Sequence, residues 1–399
     1  MAVANGRDRV DEAVEELLSK YPDADAADHV SFLGTQFDLG LAWVHFAEGC
    51  GGLGVATERQ ADVDRRLRTA GAPATRGDFV AVHQVAATIA AIGTAAQQSR
   101  FLRRIFTGED HWCQLFSEPG AGSDLAGVAA TAAPEGAEWV INGQKVWTSG
   151  ARHAHFGLVL TRTDPAVAKH RGLSMFIIDM HGAGVDVRPL RQADGGARFS
   201  EVFLSDVRTP DTLRLGDVGD GWAVGLRVLQ TERTGAADVF LRPIEDLLTL
   251  WRDRAPAAPA GLRDDVVKMW IEAKVIGFSN LRRRSLAGGP EGARLAALAK
   301  VAASEHAQRL SGVMAAVMGP DAVVGIDYGA CLADDMAEES ASPTRFASLA
   351  LQRYVLRSRA MSIEGGTNQI QRNIIGERVL GLPPDIRVDK DRPWRDVPR

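Results

Sequence analysis

Cysteine is scarce. The 399 residues hold three, Cys50, Cys113 and Cys331, odd in number and far apart. They fit no disulfide framework and no metal spacing, and they suggest a reducing cytoplasm. A run of about 18 apolar residues is also missing, so no membrane-spanning helix is expected. The opening stretch MAVANGRDRVDEAVEELL is acidic and helical in pattern, without the basic, apolar and small-residue succession of a signal peptide. Positive charge is not in excess. The 46 Lys and Arg against 51 Asp and Glu give a net charge of −5, which argues against a nucleic-acid binder. The Arg282–Arg284 triplet is short and reads as a solvated helix face. Repeats and low-complexity tracts do not occur.

What is present is an ordinary globular balance, 45% hydrophobic and 24% charged. The length suits two or three packed subregions. Asp11–Leu18, Phe79–Ile92 and Ala95–Phe106 place apolar residues three and four apart, which predicts helices. The glycine cluster Gly49–Gly54 predicts a loop. Near Trp112 the period changes. Trp139–Ile141, Phe156–Leu160, Met175–Ile178, Val185–Val187 and Glu201–Leu204 are short β-branched or aromatic runs. Asn142-Gly143, Gly150, Gly172, His181-Gly182 and Gly195-Gly196 separate them, the pattern of a small antiparallel sheet or barrel. Helix patterns return at Gly221 and persist to Leu380. The class is α+β, with a strand domain between two helical ones. The charged, Pro-containing stretch after Pro384 reads as a loosely held tail.

Three segments carry chemistry. In CQLFSEPGAGSDLAG, Cys113–Gly127, an apolar strand runs into Pro119 and a loop of glycines and small side chains. Such a backbone can turn its N–H groups towards a ligand, and Ser117 and Ser123 add hydroxyls. The blander reading is a plain Gly-rich connection. In INGQKVWTSGA, Ile141–Ala151, Asn142-Gly143 signals a hairpin turn, and Trp147 follows beside Thr148 and Ser149. A flat ring among hydroxyls suits a flat, polar-edged cofactor, while core packing explains a lone tryptophan equally well. In SIEGGTNQIQRNIIGERVLGLP, Ser362–Pro383, Gly365-Gly366 breaks one helix and Thr367 caps the next. That leaves first-turn N–H groups to attract an anion, or it is an ordinary helix–turn–helix.

Taken together, SEPGAGSD, NGQKVWTSG and GGTNQIQRNI in this order resemble the acyl-CoA dehydrogenases over nearly the whole chain. The resemblance implies an N-terminal helical domain over 1–110, a middle antiparallel β-barrel domain over 111–215 and a C-terminal four-helix bundle over 216–385. A tail over 386–399 follows. It also implies FAD at a subunit interface, an acyl-CoA substrate, and electron-transfer flavoprotein or a similar acceptor. By the same resemblance Gln114, Phe116, Ser117, Gly122 and Ser123 belong to a loop around the flavin. Ser117 would lie near its pyrimidine and Ser123 at the pantetheine of the substrate. Trp147 would stack beside the dimethylbenzene ring and Ser149 would bond near N5. Gly366, Thr367 and Gln369 would also reach FAD. No metal is implied.

The base needs separate argument. Many relatives carry a catalytic glutamate where this chain has Gly365, and Glu364, one residue earlier, points its side chain elsewhere. Other relatives keep the base on a helix after the β-domain, in an apolar run followed by Glu-Arg. GWAVGLRVLQTERTGAA, Gly221–Ala237, is such a run. Gly225, Leu229, Glu232 and Ala236 share one face of it. A carboxylate there is partly desolvated, which raises its pKa towards the range of a general base. Glu232 is therefore the expected base and Arg233 a substrate-steering residue, against the alternative of a solvated surface pair. By the same resemblance Gly365 would supply a backbone N–H to the thioester oxygen. Its missing side chain opens space for a bulky, branched or steroid-derived acyl group.

The chain departs from the family pattern in two places. AAVMGPDAV, Ala315–Val323, puts Pro320 where a late Gly-Gly would stand, and RDRAPAAPAGLRDD, Arg252–Asp265, replaces an Arg-x-x-Phe-Gly segment. How the adenine half of FAD is held is therefore open. The similarity extends to a bacterial subgroup with heteromers of two related chains, so a homo-oligomer or such a heteromer is expected. An acyl-CoA oxidase-like flavoprotein and a non-catalytic partner subunit are the rival readings.

Overall fold

A computed structural model describes residues 2–75, 80–229, 243–255, 259, 261–286, 290–323, 348–386, 389 and 391–397. The chain forms two compact units. One comprises Met1–Arg188, Ser200–Val228 and Asp389–Arg399, and the other Pro189–Phe199 and Leu229–Val388.

The first unit opens with helices α1 (Ala2–Lys20), α2 (His29–Asp38), α3 (Arg59–Thr69), α4 (Ala86–Ile92) and α5 (Ala95–Thr107). Local chemistry sets their ends. The Asp28 carboxylate accepts the Ser31 N–H at the start of α2. Thr94 and Gln97 form a reciprocal capping box at the start of α5. A π-helical turn, Val80–Val85, precedes α4.

Eight strands follow: β1 (Trp112–Leu115), β2 (Thr131–Glu135), β3 (Glu138–Ser149), β4 (Phe156–Arg162), β5 (Leu173–Asp179), β6 (Val185–Leu190), β7 (Phe199–Pro210) and β8 (Arg214–Leu215). Their order is β6-β7-β3-β2-β4-β5-β8, with β1 also on β4. The expected closed antiparallel barrel is not what the pairings build. Among the described residues the ladder ends at β6 and β8, and β1 pairs with β4 in parallel. Strand β1 leaves α5 and runs along β4 in the same direction, so the sheet is mixed and not wholly antiparallel. Alternate residues fill the core, among them Leu115, Ile141, Val159, Phe176, Ile178 and Val202.

Asn142-Gly143 is not a hairpin turn. Both residues lie inside β3, and the tight turn falls between the paired Glu135 and Glu138. Distant contacts override the local signal. The Asn142 side chain donates to Asp206 Oδ1 (3.0 Å) and accepts from the Asp206 N–H (2.8 Å). Gly143 passes so near Ala130 that an added Cβ would lie 2.5 Å from the Ala130 Cβ.

After β8, helix α6 (221–229) leaves the sheet. Gly221 touches β5 there, and a Cβ would come within 2.6 Å of the Leu173 carbonyl carbon. The tail is not loosely held as expected. Trp394 is buried, its N–H donates to Val167 O (2.8 Å), and its ring faces the Arg162 guanidinium at 4.5 Å. An apolar indole in an otherwise charged stretch gives the segment something to bury.

In the second unit, α7 (Pro243–Arg254), α8 (Leu262–Ser285), α10 (Ser348–Arg357) and α11 (Asn368–Ile374) pack against the long α9 (Pro290–Met318). Leu247, Val266, Met269, Leu310, Met314 and Leu351 form its core. No described helix is long and apolar enough to cross a membrane.

Candidate active site

Strand β1 hands the chain to the first glycine-rich segment. Gln114 is half-buried on β1 opposite Leu158, and Phe116 is buried just beyond the strand end. Glu118 and Ala121 then exchange two backbone hydrogen bonds (3.1 and 3.0 Å), leaving Pro119 and Gly120 at an exposed tip. A Cβ at Gly120 or Gly122 would meet nothing, so the backbone borders open space.

Two charged side chains hold this loop from beneath. The Lys145 Nζ donates to Glu118 Oε1 (2.8 Å), Phe116 O (3.1 Å) and Leu160 O (2.6 Å). The Glu118 carboxylate also accepts the N–H groups of Ala129 (2.6 Å) and Ala130 (2.9 Å). Next along β3, the Val146 N–H donates to Ser117 O (2.9 Å). Ser117 is thus fixed on both sides to the strand that continues into Trp147. Burial pushes the Lys145 ammonium below its ordinary value, with Glu118 opposing that shift.

Trp147 is anomalous. It adopts φ 59° on a strand, a conformation costing about 1–3 kcal/mol for a non-glycine residue. Its side chain is 61% exposed between buried Val146 and Thr148. The broad indole is thus largely exposed to solvent at the end of β3. Ser149, also exposed, ends the strand. Ser123 is exposed on the far side of the loop, and the adjacent Asp124 pairs with Lys169 at 2.9 Å. Helix α6 begins close by: a Cβ on Gly225 would lie 3.7 Å from the Phe116 ring. Glu232 and Arg233 lie outside the described residues.

The third motif belongs to the second unit. Gly365 and Gly366 take φ 64° and 86°, which only glycine adopts easily. Thr367 caps α11 by accepting the Ile370 N–H (3.2 Å), Gln369 is exposed, and Asn368 is buried. The Asn368 side-chain oxygen Oδ1 accepts from Lys300 Nζ (2.9 Å) and Ser304 Oγ (2.8 Å), which fixes the helix start against α9. Glu364 is not free. Its carboxylate pairs with Arg357 at 2.5 Å.

Comparison with known proteins follows this geometry. The descriptions acyl-CoA dehydrogenase N-terminal, middle and C-terminal domain match residues 4–109, 113–207 and 219–380. Acyl-CoA dehydrogenase IpdE1 of Mycobacterium tuberculosis (strain ATCC 25618 / H37Rv) is 36% identical over 356 residues, 87% of this chain and 86% of that protein. Two solved structures share the fold. The Tcur3481-Tcur3483 steroid ACAD has a TM-score of 0.72 at 22% identity, covering 96% of this chain and 98% of that one. The ChsE4-ChsE5 complex from Mycobacterium tuberculosis has a TM-score of 0.67 at 26% identity, covering 96% and 98%.

Proposed function

The chain belongs to the acyl-CoA dehydrogenase family, and from that premise we propose that it desaturates a bulky, ring-bearing acyl-CoA with Glu232 as the base. It is an oxidoreductase of lipid metabolism, and its cofactor is FAD.

Glu232 takes the α-proton of the thioester. The Gly365 N–H stabilises the negative charge that grows on the thioester oxygen. A bound FAD would supply the acceptor for the β-hydrogen as hydride, which would leave the trans-2-enoyl thioester. Ser117, Gly122, Trp147 and Ser149 would hold the flavin, with the backbone of Gln114 and Phe116, and Gly366, Thr367 and Gln369 of the third motif would also serve FAD. Ser123 meets the pantetheine arm and Arg233 steers the substrate. The three-part division at 110 and 215 and a cytoplasmic location complete the reading, with electron-transfer flavoprotein as acceptor.

The observation that carries this reading is at the Gly365 turn. Its residue has no side chain, and the acidic residue next to it, Glu364, is held by Arg357. A base then comes from another element, and the sequence offers Glu232, in the apolar run that opens at Gly221. The space left by Gly365, together with the steroid named for one structural relative, supports a ring-bearing acyl group.

A second chain of the same fold is the proposed partner. Val267, Trp270, Ile271, Val275, Phe278 and Leu281 are all exposed on one face of α8, opposite the face that packs inwards. An apolar stripe of that size is characteristic of an interface. Two structural relatives bear paired chain names, which agrees with a related chain as its cover.

The test is a panel of straight, branched and steroid-derived acyl-CoA thioesters, scored anaerobically by flavin bleaching. The steroid-derived thioesters should give the highest kcat/KM. A clear preference for straight chains would remove the substrate claim.

A further inference from the structure

The loop that carries Ser123 has little internal structure. Beyond Asp124 it makes one 3-10 turn, Leu125–Gly127, closed by Gly127 N–H to Asp124 O (2.9 Å) and Val128 N–H to Leu125 O (3.3 Å). Such a turn does not hold its own position, and its place is set by what touches it.

Two of those contacts come from the far end of the chain. Lys169 bridges Asp124, 2.9 Å from both carboxylate oxygens, and Asp389, at 2.5 Å. The Trp394 indole N–H donates to Gly127 O (3.3 Å). Between them stands Arg162, almost fully buried. Its guanidinium donates to Ala126 O (2.6 Å), Val128 O (3.2 Å) and Lys169 O (2.6 Å), and its carbon lies over the Trp394 ring, 4.5 Å from the centroid. The indole therefore covers the guanidinium that grips the loop on both sides of Gly127. The strand-like contact of Pro393 with Ala168 anchors the segment independently of the loop.

We propose that Asp389 and Trp394 are positioning residues for the substrate loop: they strap Ser123–Val128 in place and so set the affinity for the acyl-CoA, without touching it. This rests on the reading that Ser123 meets the pantetheine arm. Tail and loop lie about 260 to 270 residues apart in sequence, so no local signal joins them.

The holoenzyme carrying Trp394→Ala tests it, with Trp394→Phe as the conservative variant. Two readouts apply: hydrogen exchange at the Gly127 and Val128 amides, and the split between KM and kcat. The expected result is exchange and KM both raised roughly tenfold, with kcat and FAD affinity within about twofold. Trp394→Phe keeps the ring over Arg162 and should recover most of KM. If Trp394→Ala does not fold, Asp389→Asn carries the test, with KM raised about threefold. Unchanged exchange at those amides, or faster exchange with unchanged KM, overturns the strap. Ser123→Ala separates the two claims. Should its KM match the parent while that of Trp394→Ala rises, the Ser123 reading fails and the strap stands.

Discussion

Lys145 and Glu118 face each other at 2.8 Å with both side chains sealed from solvent, 27 residues apart in sequence. Between them they fix the carbonyl before Ser117 and the two N–H groups that close the far side of its loop. Lys145→Met leaves a buried carboxylate without its cation and should cost about 3–5 kcal/mol. Glu118→Gln with Lys145→Met removes both charges and should cost less than the two single changes added together. Thermal unfolding of the four proteins measures this. Additive losses would show that the two side chains do not act as a unit. FAD affinity should fall in all three variants, because each frees Ser117 relative to Trp147.

Asp246 on α7 predicts a pH effect. Burial first, then the neighbouring Glu245, pushes its carboxyl up from 3.8 to about 6. A raised folded-state value means the fold disfavours the ionised form. The penalty is absent below about pH 4, grows up to about pH 6 and stays constant above it. Asp246→Asn should therefore melt higher than the parent at about pH 8 and equally at about pH 4. A lower melting point at the alkaline end would mean that a partner holds Asp246 ionised.

Phe278 is the most exposed of the six apolar side chains along α8, at 68%. Phe278→Glu should leave the folded chain intact and weaken its assembly by roughly 30-fold or more, as loss of a central aromatic anchor does. Sedimentation across a dilution series reads this directly. An unchanged mass at every concentration would take α8 out of the interface.

Local chemistry made much of this protein legible in sequence. The capping of α5 by Thr94 and the turn at Gly365-Gly366 depend on neighbours a few residues away. The prominence of Trp147 is likewise plain in the sequence, though its left-handed backbone is not. Glu118 and Lys145 are less legible, because charged residues usually face water. A signal existed, since Trp139 and Ile141 set a two-residue period that turns Lys145 inwards. Asn142-Gly143 misleads for the opposite reason. Its turn preference is real, but Asp206, 64 residues on, claims the Asn142 side chain and draws the pair into a strand. Trp394 could not be placed at all without the fold, because its partners are Arg162 and Gly127.

The catalytic claim rests on one carboxylate, and a single anaerobic experiment addresses it. Holoenzyme with Glu232→Gln is mixed with a steroid-derived acyl-CoA while the visible flavin band is followed. The account predicts full FAD content, a spectral shift on ligand binding, and bleaching slowed at least about a thousandfold against the parent. Bleaching at the parental rate would contradict it and return the search for the base to Glu364.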